Sequence, residues 1–209
     1  MELKLDRARE IQGWMTDAEL EWLAGQATRH YRIAEVGSWK GRSTVALAEN
    51  TSGMVLAVDT WLGSEEHTPE EIGPEGWLFR QFSENVKGLP ILPVVGESVR
   101  VAEHFQRVGF RVFDMVFIDG AHDFDSVKAD IEAWRPLLQP GGILCGHDFK
   151  SWPGAVAEAV STVLGEVELP AGSIWLKEFK EGDINGGVCP HQELPRGTEA
   201  EGSSTGATM

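Results

Sequence analysis

Residues 113–149, FDMVFIDGAHDFDSVKADIEAWRPLLQPGGILCGHDF, run from an apolar stretch through a polar turn and an amphipathic stretch to a second apolar run. Val112, Phe113 and Met115–Ile118 read as a buried strand that ends abruptly in Asp119. After the turn, Val127, Ile131, Trp134 and Leu138 recur at i, i+4, i+7 and i+11. Lys128, Asp130 and Glu132 fall off that stripe, so the spacing predicts a helix over 124–139 with one face inward. GGILCGHDF then returns as a strand. The unit is strand, helix, strand, and a carboxylate closing a buried strand needs a reason. Asp119 is open here as a turn-former, a metal ligand or a catalytic group.

Working outward, the same alternation continues. Upstream, YRIAEVG (31–37), MVLAVD (54–59) and ILPVVGES (91–98) read as strands, with helices predicted over 40–50, about 77–88 and 98–107. TDAELEWL (16–23) opens on a capping box, Thr16 with Glu19, and predicts a helix to about Arg29. Downstream, GAVAEAVSTVLG (154–165) reads as a helix. EVELP and SIWLKEF read as a hairpin around Ala171-Gly172. Strand and helix alternate about five times, which implies an α/β fold with a mostly parallel sheet covered on both faces. Residues 63–76 are polar, with prolines and glycines, and predict a long loop; residues 181–209 lack periodicity and predict a flexible tail. One domain over 1–180 is expected, preceded within that span by a helical segment at 1–29.

The bulk properties exclude several classes. A net charge of −15 on 209 residues argues against nucleic acid and against anionic membrane surfaces. No run approaches the ~20 apolar residues of a membrane span. Cys145 and Cys189 fit neither a disulfide framework nor a metal spacing, and the N-terminus has no signal-peptide core, so a cytoplasmic, reduced protein is expected.

The polar residues concentrate at one place. The five parallel strands end in Glu35-Val36-Gly37, Asp59, Gly96-Glu97-Ser98, Asp119 and Gly146-His147-Asp148. Ligands of open α/β sheets bind outside the carboxyl ends of the strands, so this edge is expected to bind or react. Gly37 and Gly41 permit a tight turn whose helix N-terminus suits a polar or anionic group. Their spacing is not the G-x-G-x-x-G of dinucleotide binders. Asp59 is either a turn-former or a carboxylate that takes both hydroxyls of a ribose.

Glu35-x-Gly37-x-x-x-Gly41, Asp59 and the pair IDGAHDF…GGILCGHDF together resemble class I S-adenosylmethionine-dependent methyltransferases. More narrowly, the chain resembles the metal-dependent O-methyltransferases related to catechol and macrolide-sugar enzymes, over roughly residues 30–180. The resemblance implies a Rossmann-like, doubly wound, seven-stranded sheet with a final antiparallel strand, which suits the hairpin. It places Gly37 and Gly41 under the methionine part of the cofactor, with Glu35 supporting their loop. Asp59 falls on the ribose, and Glu97 and Ser98 border the adenine. Trp61 either covers the nucleoside or belongs to the core or a lid.

In such a sheet Asp119 and His147-Asp148 end neighbouring strands, and two carboxylates with an imidazole suit Mg²⁺ or Mn²⁺. The resemblance makes these three the metal ligands, with His147 departing from the family's usual carboxylate, and sets Asp119 beside the cofactor as well. It puts a general base at His122, and an imidazole titrating near neutrality can take a hydroxyl proton. The expected reaction is methyl transfer to a hydroxyl of a small molecule. Residues 63–78 are expected to form an acidic lid over a neutral, hydroxylated or cationic acceptor.

Two alternatives stand beside this. A non-haem metal oxygenase would use His122, His147 and one carboxylate. A non-catalytic nucleoside-binding protein would keep the fold alone. Trp14 and Trp22 in the N-terminal segment fit either a homodimer surface or packing against the sheet.

Overall fold

The computed structural model describes residues 2–64, 67–109, 112–151, 154–180 and 183. The expected tail at 181–209 lies outside these residues, Asp183 apart. Seven strands form one sheet: β1 (Arg32–Val36), β2 (Met54–Asp59), β3 (Ile91–Val95), β4 (Phe113–Ile118), β5 (Leu138–Gly146), β6 (Glu168–Ala171) and β7 (Ile174–Glu178). Their order is β3-β2-β1-β4-β5-β7-β6. The first five are parallel, β7 runs antiparallel to β5, and β6 pairs antiparallel with β7. The Rossmann-like, doubly wound sheet with an antiparallel end is as expected.

Burial on both faces explains why the central strands read as continuous apolar runs rather than alternating ones. Ile33, Val55, Ala57, Met115, Phe117, Ile143 and Cys145 point to one core. That core is closed by α1 (Asp6–Glu10), α2 (Asp17–Ala27), α3 (Arg42–Asn50) and α5 (Trp77–Asn85). The residues between them, including Ala34, Val36, Leu56, Val58, Val116, Ile118 and Leu144, point to the other. There α6 (Ser98–Arg107), α7 (Phe124–Trp134) and α8 (Ala155–Leu164) complete the packing.

Two predicted boundaries differ. The helix expected over 124–139 stops at Trp134, and a single 3₁₀ turn, Arg135–Leu137, follows. Pro136 cannot extend an α-helix, so Leu138, read as the last residue of the stripe, starts β5 instead. The loop expected at 63–76 contains a four-residue helix, α4 (Pro69–Ile72), with Thr68 and Glu71 forming both arms of a capping box. Among the described residues, no helix is long and apolar enough to cross a membrane.

The sheet register matters most for function. Val36 stands opposite both Val58 and Ile118, and Ile118 stands opposite Gly146. The next residues of these strands, Gly37, Asp59, Asp119 and His147, therefore form a row along the carboxyl edge. The chain reverses its winding direction between β1 and β4, which opens a crevice there.

Candidate functional site

Gly37 lets the strand ends meet at the foot of the crevice. Its φ is +84°, and a Cβ would overlap the carbonyl oxygen of Asp119, so β1 and β4 approach this closely only because the position is glycine. Under the turn, Glu35 is fully buried; its Oε2 accepts from Ser38 Oγ at 2.7 Å and from Thr44 Oγ1. Burial pushes its pKa up to about 7, against the pull of hydrogen bonds from Ser43, Thr44 and Ser38. Gly41 is the N-cap of α3.

Asp59 clamps the same turn from β2. Its Oδ2 accepts the Ser38 and Trp39 amides at 2.9 and 2.8 Å, and its Oδ1 accepts the Trp61 amide at 2.7 Å. A carboxylate offers about four acceptor positions, so three are used within the protein and one remains at Oδ1.

A cavity of about 540 Å³ extends from this turn past Asp59, Glu97, Ser98 and Asp119 to Asp130. That volume lies within the range of small-molecule and cofactor sites. Asp130, from α7, is only 5% exposed, and Ser98 Oγ donates to it. Burial raises its pKa to about 6, although the Ser98 hydrogen bond pulls the other way. Trp61 is not on this wall. It is 3% exposed and packs between Phe79 and Phe82, so the structure puts it in the core. The aromatic ring on the wall is Trp39, whose ring stacks on His67 at 5.4 Å.

A second cavity, about 410 Å³, lies across the row of strand ends and is lined by Trp14, Met15, Arg42, His122, His147 and Asp148 among others. Gly37, Trp39, His67, Asp119 and Gly120 belong to both walls. Trp14 is 64% exposed and lies 4.5 Å from Trp39, ring to ring.

Four of the charged groups of the second cavity meet around β4 and β5. Asp148, at φ +61°, turns its Oδ2 to His122 Nε2 at 3.0 Å and to His147 Nδ1 at 3.2 Å. His147 Nδ1 also lies 3.6 Å from Asp119 Oδ1. Burial raises Asp119 to about 6, partly offset by the charge of His147. Burial would raise Asp148 too, but hydrogen bonds from His122 and His147 hold it well below the usual range. Burial alone would lower His147, yet Asp148, Asp119 and Glu19 outweigh it and lift the ring to about 9.

The expected metal triad of Asp119, His147 and Asp148 is thus adjacent. However, the ligand atoms that converge within 4.8 Å of one another come from Asp119, His122 and Asp148. Two carboxylates and an imidazole so placed fit a divalent cation.

Sequence reading missed Glu19, Trp39 and Asp130, and placed His67 only within the lid segment. Glu19 declared itself only as a capping residue. Asp130 lay off the apolar stripe of α7 and looked like a solvated position, whereas it is buried against Ser98.

The family model described as "Methyltransferase domain" matches residues 34–149. The y4gI protein of Sinorhizobium fredii is 30% identical over 135 residues, spanning 61% of this chain; the chain matches 14% of that relative's length. Among solved structures, O-methyltransferase TomG from Streptomyces achromogenes, in complex with S-adenosylmethionine, superposes with a TM-score of 0.62 at 16% identity. It covers 85% of this chain and 87% of its own. An O-methyltransferase from Bacillus cereus with S-adenosylhomocysteine gives 0.56 at 17%, covering 83% and 86%. The calicheamicin methyltransferase CalS11 gives 0.58 at 19%, covering 78% and 77%. At these identities the three establish a shared fold, and none of them is described as an oxygenase.

Proposed function

The chain belongs to the methyltransferase-domain family, and on that premise we propose that it transfers a methyl group from S-adenosylmethionine to a hydroxyl of a small molecule. The observation that carries this reading is the pair of cavities meeting at Gly37, Asp119 and Gly120. One has the fittings of a nucleoside site and the other an acid–base cluster, so a group can pass across their common wall.

In the first cavity, the α3 turn receives the methionine part of the cofactor, over Gly37 and Gly41, with Glu35 bracing the turn. Asp59 offers its remaining acceptor position to the ribose, and the Glu97-Ser98 segment borders the adenine. In the second cavity, Asp119 and Asp148 are the carboxylates for a divalent cation, Mg²⁺ or Mn²⁺. A cation there would lower the pKa of an acceptor hydroxyl bound to it.

His122 is the general base. Its Nε2 lies 3.0 Å from Asp148 Oδ2, which orients the ring at the edge of the cavity. Acceptor alignment by the cavity wall supplies the rest, because the sulfonium methyl is already activated; such alignment contributes roughly 7–11 kcal/mol. Ser64 lines the first cavity and His67 lines both, so the segment around α4 serves as a lid. The small hydroxylated acceptor enters under it.

Calorimetric titration of the full chain with S-adenosylhomocysteine in Mg²⁺-containing buffer tests the reading. Saturable one-site binding is expected. A folded protein that binds none would sink it.

A further inference from the structure

Trp14 is 64% exposed, yet the backbone on either side of it is pinned. Arg42, the first residue of α3, donates from Nη1 to the carbonyls of Arg9 and Ile11 at 3.1 and 2.7 Å, and from Nη2 to that of Met15 at 3.2 Å. Lys40 Nζ donates to Gln12 Oε1 at 2.8 Å. Gly13 allows this close approach, since a Cβ there would lie 2.6 Å from Arg42 Cδ. The indole is therefore held in place rather than loose. It forgoes the burial that makes tryptophan favourable in a core, and it lines the second cavity instead.

Its neighbours there are rings. Trp39 stands 4.5 Å away and His67 5.5 Å, centroid to centroid, and those two stack on each other. The other polar side chains along this wall are already engaged. Ser38 and Ser43, both buried, donate to Glu35. Arg42 is turned to the backbone carbonyls, and Ser151 Oγ lies 3.3 Å from Ser173 Oγ. Acid–base groups gather at one end, around His122, His147 and Asp148. An acceptor with hydroxyls all round, such as a sugar, would leave most of them unmatched here, which costs affinity. A flat apolar ring with a hydroxyl at one edge matches both halves of the cavity.

We propose that Trp14 is a specificity-determining residue: with Trp39 and His67 it forms an aromatic wall that takes the flat ring of a phenolic acceptor and leaves the hydroxyl at the His122 end. The inference rests on the methyl-transfer reading and narrows its acceptor. Trp14 lies outside residues 34–149, so the family match does not supply it. In the transfer the phenol O–H gives its proton to His122 and the oxygen forms a bond to the methyl carbon. The sulfonium S–C bond breaks, leaving S-adenosylhomocysteine.

The test is calorimetric titration of the full chain, saturated with S-adenosylhomocysteine in Mg²⁺-containing buffer, with three probes. These are 2-naphthol, its saturated counterpart decahydro-2-naphthol, and methyl glucoside. The parent is expected to bind 2-naphthol more tightly than either of the others. Trp14→Ala should weaken 2-naphthol by about 5–100-fold, the range for losing one stacked flat ring, and Trp14→Phe should restore most of it. S-adenosylhomocysteine affinity should be unchanged in both variants, because Trp14 lines only the second cavity. That affinity also reports that the variants are folded.

Parental 2-naphthol affinity in Trp14→Ala overturns the proposal. So does a parent that binds no 2-naphthol, or one that binds the saturated alcohol or the glucoside as tightly. If S-adenosylhomocysteine itself does not bind, the methyl-transfer reading falls alone. The same probe comparison on the nucleoside-free chain then upholds or overturns the aromatic wall.

Discussion

Asp130 shows how a single buried group sets a pH dependence. Its pKa stands at about 6 against an ordinary 3.8 because burial disfavours the charged form. Below the ordinary value both folded and unfolded chains are protonated there, and the residue adds no pH term. Between about pH 4 and 6 the unfolded chain ionises first, so folding loses stability, and the deficit is constant above that window. Asp130→Asn removes the deficit while its side-chain oxygen can still accept from Ser98. The variant should be more stable at pH 8 by up to about 3 kcal/mol, with the gap closed at pH 4; urea unfolding at the two pH values measures it. A group that acts on the acceptor has a different signature. His122→Ala should lower kcat by about 10²–10⁴ without abolishing turnover, since alignment and the activated donor remain. Full kcat at every pH would remove His122 as the base.

Elements differ in how openly the sequence declares them. Strands β1, β2 and β4 were legible because burial on both faces writes an unbroken apolar run, and their polar terminal residues revealed the edge. The end of α7 was misread because the apolar stripe continues through Leu138, and only Pro136 marks the stop. The short helix α4 was hidden in polar sequence, although Thr68-Pro69 and Glu71 are a capping signature. Asp119, His147 and Asp148 were legible as strand ends. Trp61 and Glu19 were not, because burial by partners distant in sequence decides their roles. The proposed lid around α4 is tied to the cavity wall by its contacts: Ser64 N and Oγ lie 3.0 and 2.8 Å from His67 Nδ1, and His67 stacks on Trp39. Ser64 and His67 both line the first cavity, so ligand there should hold the segment down. Limited proteolysis should cut within 64–76 more slowly when S-adenosylhomocysteine is present. Equal cleavage rates in both states would mean that the segment is no lid.

At the scale of the molecule, the site is not carried by any one unit. Its row of residues comes from the ends of β1, β2, β4 and β5, and it is braced from α2, α3 and α7 and from the β6–β7 turn. Separating any two of these elements takes the site apart, so a ligand that binds only the folded chain should stabilise the whole sheet. By mass action, S-adenosylhomocysteine at 100 times its Kd adds about 2.7 kcal/mol. For a domain of roughly 150–250 residues each kcal/mol moves Tm by about 2–4 °C, so a rise of roughly 5–11 °C is expected. Scanning calorimetry with and without the nucleoside measures it as a single shifted transition. If binding is saturable at 25 °C yet Tm does not move, the cavity must open in a local step before the sheet melts. The N-terminal helices would be the first suspects in that case, because Trp14 lines the second cavity and Glu19 backs its His147 from outside the βα alternation that forms the sheet.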